Sequence, residues 1–276
     1  MDVDGMRQRF KEKVRQGGTS PLARARFWEI DLLRGCAIIL MLGFHWTVDQ
    51  YLFRGVQPRL SPFVLSIWQM VTAGLFLLLA GVSLTFHRGH PEQQRRSTGG
   101  NFQRNRNTGR GSHWRRGIII LSWGLLITVI TRLFLPKDYI VFGILHLIGT
   151  AVFISQPLLN LKTWNLALGM IIIGLGIYFR QQRVTFPWLL WAGFIPEGFV
   201  SVDYFPIFPW YGVILIGIFI GKSLYGEQGR NFSLGEPPRC QAVQWLCLLG
   251  RNSLLIYLVH QPVLLLLLLL LSMIRK

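Results

Sequence analysis

The chain has 276 residues, 51% of them hydrophobic, with a mean hydropathy of +0.40 and a formal charge of +17 at neutral pH. Several uncharged stretches approach the length needed to cross a bilayer, which excludes an ordinary soluble domain and points to an all-α polytopic membrane protein. The basic excess is not a nucleic-acid footprint, because it gathers in a few segments between apolar runs, and the three cysteines (Cys36, Cys240, Cys247) have neither metal spacing nor an even count, so neither a disulfide framework nor a metal site is expected.

Residues 1–26 are basic and lack the apolar core of a signal peptide, and read as a cytoplasmic, topology-setting tail. From residue 27 to 273 the chain reads as one transmembrane domain. Its first span, about 32–53, carries charge at both ends. Asp31 and Arg34 sit one turn apart at the entry; His45 and Asp49 sit one turn apart deeper in. The rise from Arg34 to His45 is roughly 16 Å, which puts His45 about half to two-thirds of the way across the ~30 Å hydrocarbon layer. Arg34 can snorkel; His45 is too deep to do so.

A second span follows at about 63–86, with Gly74, Ala80, Gly81 and Ser83 suited to close helix packing. Residues 87–116 form a polar, arginine-rich insert expected to be a disordered cytoplasmic loop. Further spans are expected at about 116–135, 140–159 and 163–179, the fourth containing His146. The aromatic stretch 186–200 is short and interrupted by Pro187, Pro196 and Glu197. It reads as a re-entrant or interfacial piece that does not cross. Asp203 leads into a sixth span at about 207–224. A short helical lead-in from Ala242 precedes a seventh at about 251–273, where His260 stands two residues before Pro262. With seven spans and the N-terminus inside, 21 of the 29 Lys and Arg fall on the cytoplasmic side.

His45, His146 and His260 come out at similar depth, roughly 12–20 Å from the inner boundary, and are expected to converge on one midplane cavity. Asp49 and Asp203 fall on its outer side; Arg34, Arg115, Arg116 and Arg251 fall on its inner side. An imidazole oriented by a carboxylate suits a general base, and clustered guanidinium groups suit a phosphate-bearing ligand. The alternative is that each histidine is separately hydrogen-bonded to a neighbouring helix.

The stretches WEIDLLRGCAIILMLGFHW, AGLFLLLAGVSL, FGILHLIGTA, VDYFPIFPWYGVILIGIFIG and LGRNSLLIYLVHQP resemble the catalytic-domain family of heparan-alpha-glucosaminide N-acetyltransferase, in its compact bacterial form. The resemblance covers about 26–273 apart from the insert. It implies acetyl transfer from cytoplasmic acetyl-CoA, with no metal, to a hydroxyl or amine of a glycan or lipid-linked acceptor across a bacterial inner membrane. On that reading Arg34, Arg115, Arg116 and Arg251 bind the donor, and Asp203 and Trp210 bind the acceptor. His45 deprotonates the acceptor, with Asp49 holding its tautomer, while His146 and His260 orient the acceptor or polarise the thioester. The animal lysosomal enzymes carry their proposed catalytic histidine in a loop after the first motif. No histidine lies between Trp46 and Phe86 here, and His45 stands where those enzymes have asparagine. Either the histidine chemistry has moved to His45 or this subgroup runs a different reaction.

Two other readings compete with this one. A proton-coupled transporter or flippase would use the His/Asp layer as a path, although no internal repeat is visible; a non-catalytic assembly subunit would need none of it. Membrane lipid is an expected partner, and a homo-oligomer is compatible with the sequence.

Overall fold

The computed structural model of the chain describes residues 27–86, 107–226, 229–236, 238 and 240–274. The basic tail and residues 87–106 of the arginine-rich insert lie outside the described residues. Within them the protein is built from helices: α1 Trp28–Arg54, α2 Pro62–Thr85, α3 Asn107–Phe134, α4 Ile144–Leu158, α5 Trp164–Gln181, α6 Ile207–Leu224, α7 Gln241–Arg251 and α8 Ser253–Ile274. Two-residue strands form two small pairs, β1 Arg183–Val184 with β2 Ile195–Pro196 in parallel, and β3 Tyr225–Gly226 with β4 Gly229–Arg230 antiparallel.

Local chemistry sets the helix ends. Gly55, at φ 65°, closes α1 in the left-handed conformation that favours glycine. Ser61 opens α2 by accepting the Val64 amide on its hydroxyl, with Pro62 at the first helical position. The helix α3 reaches back to Asn107, so the 107–116 end of the insert is helical rather than disordered.

Among the described residues five helices are long and apolar enough to cross a membrane: α1, α2, the Trp114–Phe134 part of α3, α6 and α8. The remaining two expected spans do not meet that standard. The helix α4 has 15 residues, a rise of about 22 Å against a hydrocarbon thickness of ~30 Å. The helix α5 spends part of its 18 residues on Asn165, Arg180 and Gln181. Apolar side chains face outward along the long helices, among them Phe63, Leu125, Leu133, Leu255, Leu266 and Leu269. That pattern suits lipid rather than water as the surrounding solvent.

The core lies where α2, α4 and α6 meet, at Leu77, Leu147, Ile214, Leu215 and Ile218, all fully buried. Helices come this close only where side chains are small. A Cβ on Gly81 would lie 2.1 Å from the Ile214 carbonyl oxygen, and one on Gly217 2.2 Å from that of Leu78. Gly74, in the same small-residue stretch, faces open space. The same device docks α7 on α1, because a Cβ on Gly250 would sit 1.8 Å from the Asp31 carbonyl oxygen. Residues 186–200 contain no helix and fold as turns on either side of β2, in the connection from α5 to α6. There the Ile207 amide donates to the Trp191 carbonyl, Tyr204 Oη donates to the Leu190 carbonyl at 2.7 Å, and Phe194 stacks on Phe179.

Candidate functional site

Arg34, Arg115, Arg116 and Arg251 come from three helices, α1, α3 and α7, and all four line one cavity of about 610 Å³. Among the described residues the only carboxylate lining that cavity is Asp31, which is 6% exposed. It pairs with Arg34 at 3.7 Å, as the sequence spacing predicts, and also with Arg251 at 3.3 Å. A second contact fixes Arg34, whose Nη2 donates to the Ser83 hydroxyl. One buried carboxylate therefore orients two guanidinium groups, while the cavity mouth keeps a net positive charge. Such a cleft concentrates anions, and forked guanidinium donors suit phosphate in particular.

Away from the arginines the lining becomes apolar. Along α2 it extends from Phe86 to Phe76, roughly 15 Å of helix rise. The far end is built from Phe76, Ile144, Leu145, Ile214 and Tyr257. Among these side chains only Tyr257 brings a polar atom. Its hydroxyl donates to Asp203 Oδ2 at 3.3 Å. The same oxygen accepts the Ile144 amide at the start of α4 at 3.2 Å. Gly143 makes room for that carboxylate, since a Cβ there would be 2.2 Å from Asp203 Oδ2. Burial pushes the Asp203 carboxyl up to about 6, opposed by the hydrogen bonds from Ile144 and Tyr257. The structure thus gives Asp203 to the α4 N-terminus and to Tyr257.

One turn beyond Tyr257 on α8, His260 is 8% exposed and its ring lies 5.4 Å from the tyrosine ring. His260 Nδ1 contacts the Tyr257 carbonyl oxygen at 2.6 Å. A carbonyl can only accept, so Nδ1 carries the proton and Nε2 of the neutral ring is a bare base. That Nε2 is buried and has no partner among the described residues. The His45 ring packs 4.8 Å from His260, with Phe44 edge-on to it. Two of the three histidines expected in one layer are therefore in contact.

The third is not with them. His146, 4% exposed, accepts the Gly143 amide on Nδ1 at 3.2 Å and places Nε2 3.3 Å from the Thr128 hydroxyl. Both nitrogens are used, one to cap α4 and one to tie it to α3. The expected pairing of His45 with Asp49 also fails. Asp49, 2% exposed, accepts from Gln261 Nε2 at 2.8 Å, and no hydrogen bond joins it to His45 among the described residues. Its Oδ2 and Gln261 Oε1 are buried without partners among those residues. Trp210 packs on Phe205 at 5.0 Å, its indole N–H buried and without a partner among the described residues. Tyr257 and Gln261 carry no signal in the sequence. A tyrosine in an apolar helix looks like packing, and the partners of both residues lie on distant segments.

At the arginine end, the side chain of Glu29 accepts from Arg230 Nε at 2.7 Å and Nη2 at 2.6 Å, and from the Tyr225 phenol at 3.1 Å. Burial, and then the Glu29 charge, push the Tyr225 phenol well up, so it stays a donor. These bonds fasten the β3–β4 hairpin over Phe27, one of the cavity-lining residues.

Comparison with known proteins agrees with the motifs. The family described as "Heparan-alpha-glucosaminide N-acetyltransferase, catalytic" matches residues 26–262. Neither a curated protein nor a solved structure matches the chain. With 26–262 matched and five apolar helices long enough to cross a bilayer, the chain is a multi-pass membrane protein that belongs to the heparan-alpha-glucosaminide N-acetyltransferase catalytic-domain family.

Proposed function

We propose that the protein is a membrane acetyltransferase that takes acetyl-CoA from the cytoplasm and transfers the acetyl group to an amine or hydroxyl of a glycan or lipid-linked acceptor. The observation that carries this is one cavity with four arginines at one end and Tyr257, adjoining His260, at the other. The donor's phosphates lie among Arg34, Arg115, Arg116 and Arg251. Its uncharged arm follows the apolar lining, and the thioester reaches the far end. There the acceptor's nucleophile gives its proton to the bare Nε2 of His260, with His45 packed alongside as the second imidazole. Asp49 and Gln261 supply the polar wall around the pair. Asp203 and Trp210, both on the 203–210 segment, border the acceptor side. In this arrangement the N-terminus and the arginine end face the cytoplasm of a bacterial inner membrane. The helices α4 and α5 then complete a seven-helix crossing with the five longer ones.

The test is made on full-length protein reconstituted in vesicles with radiolabelled acetyl-CoA. Saturable donor binding and transfer of label to an amino- or hydroxy-sugar acceptor are expected. Arg115→Gln and Arg251→Gln should each raise the KM for acetyl-CoA several-fold more than they lower kcat, because a phosphate contact is common to ground and transition states. Wild-type protein that neither binds nor turns over acetyl-CoA would sink the proposal.

A further inference from the structure

We propose that Tyr257 is a catalytic residue, whose phenol hydrogen-bonds the thioester carbonyl and holds the oxyanion that forms when the acetyl group is attacked. The inference rests on the donor reading given above and adds the residue that meets the reacting atoms. If the phosphates are held at the arginine end, the thioester lies at the opposite end. A thioester carbonyl in an apolar pocket gains from a positioned donor, and one that strengthens its hydrogen bond as charge develops on oxygen accelerates the chemical step. The far end of the cavity is made of Phe76, Ile144, Leu145, Ile214 and Tyr257, and only the tyrosine has a proton to offer.

The surroundings suit that role. The Tyr257 hydroxyl rests on Asp203 Oδ2 at 3.3 Å, a long bond, so turning the O–H towards a bound carbonyl gives up little. Asp203 keeps the Ile144 amide when the phenol turns away. The Tyr257 carbonyl meanwhile takes the Nδ1 proton of His260, so one residue sets both the electrophile's donor and the base's tautomer. In the step, the acceptor's nitrogen or oxygen bonds to the acetyl carbon. The carbonyl π pair moves onto oxygen beneath the Tyr257 O–H, and the acceptor's proton passes to His260 Nε2. Collapse re-forms the carbonyl and breaks the carbon–sulfur bond. The departing thiolate takes up the proton held by His260, and the phenol ends as it began.

The experiment uses Tyr257→Phe in the reconstituted full chain, with acetyl-CoA carrying a ¹³C carbonyl. The substitution is isosteric and removes only the hydroxyl. Loss of one oxyanion donor typically costs about 10²–10³-fold in kcat, and that fall is expected with a KM for acetyl-CoA changed by less than about threefold. The infrared band of the bound ¹³C carbonyl should be displaced from its free position in wild type and return towards it in Tyr257→Phe. A tyrosine that only packs would leave the band unmoved, whatever its effect on stability. Should Tyr257→Phe misfold, Asp203→Asn gives the second readout: it keeps the phenol, so the displaced band must persist. Unchanged kcat or an unmoved band in Tyr257→Phe overturns the inference while leaving donor binding intact. Failure of wild type to bind acetyl-CoA removes the donor reading itself, and this inference with it.

Discussion

The first turn of α4 and the first half of α8 each bury a histidine almost completely, and they treat it in opposite ways. In α4, His146 spends both nitrogens on neighbours, the Gly143 amide and the Thr128 hydroxyl. In α8, His260 spends one on its own helix and leaves the other without a partner among the described residues, against a second imidazole. A buried polar atom without a partner costs roughly 1–3 kcal/mol, so it calls for an explanation that a saturated one does not. Position along an apolar helix makes the two residues look alike in the sequence. Hydrogen-bond saturation separates them, and the function proposed above uses that difference: His146 is read as architecture and His260 as chemistry.

The largest expected effect breaks or upholds that contrast directly. His260→Gln keeps a donor for the Tyr257 carbonyl and removes the proton-accepting nitrogen. It should lower kcat by about 10²–10⁴-fold, the usual contribution of a general base, with little change in melting behaviour. His146→Leu should do the reverse. It strands the Gly143 amide and the Thr128 hydroxyl, so it should cost about 2–4 kcal/mol of stability while sparing activity per folded molecule. The pair is measured by acetyl transfer and by thermal unfolding on material matched by size-exclusion profile. A His146→Leu enzyme that is stable and dead would reverse the assignment.

How far the sequence foretells this follows from which coordinates a sequence carries. The four arginines are legible as a group because charge excess predicts one side of the membrane for them, and one cavity is where they meet. The fixed rise of a helix predicts similar depths for His45, His146 and His260. Which way each faces around its helix axis depends on neighbours remote in the chain. His260 meets a residue on α1, and His146 a threonine on α3. The shortness of α4 has the same cause. Residues 140–143 read as apolar helix, yet Gly143 is extended because the carboxylate of Asp203, far along the chain, occupies the space beside it. The turn structure at 186–200 is legible through its prolines, and Gly81 through its small neighbours.

The next effect sharpens the α4 side of the comparison through pH. Asp203 caps the same turn that His146 closes, and burial raises its folded pKa to about 6 from an ordinary 3.8. A raised carboxyl binds its proton more tightly folded than unfolded. Its contribution to stability is therefore complete below about pH 3.8 and is lost as pH rises to about 6. Two pKa units set a ceiling of about 3 kcal/mol. Asp203→Asn should remove this slope, so the difference in melting temperature between wild type and variant should grow in the variant's favour from pH 4 to pH 6 and then level off. A difference that is flat with pH would show that the carboxylate is charged at no cost and that the α4 cap does not depend on its proton.

The smallest effect tests whether the α8 side is under-bonded for a reason. Among the described residues Asp49 holds one side-chain bond, from Gln261, and its Oδ2, within a helix turn of His45, has no partner. A buried carboxylate with half its acceptors unmet is a poor stabiliser, and replacing it with a neutral isostere is commonly neutral or favourable. Asp49→Asn should therefore leave thermal stability unchanged or raise it. If the polar wall helps the histidine pair handle a proton, the same variant should lose roughly tenfold in kcat, about 1.4 kcal/mol of barrier. Stability gained together with activity lost is the signature of a group retained for function against the interest of the fold. Stability lost together with activity would instead make Asp49 a second His146, a strut of the architecture rather than a part of the chemistry.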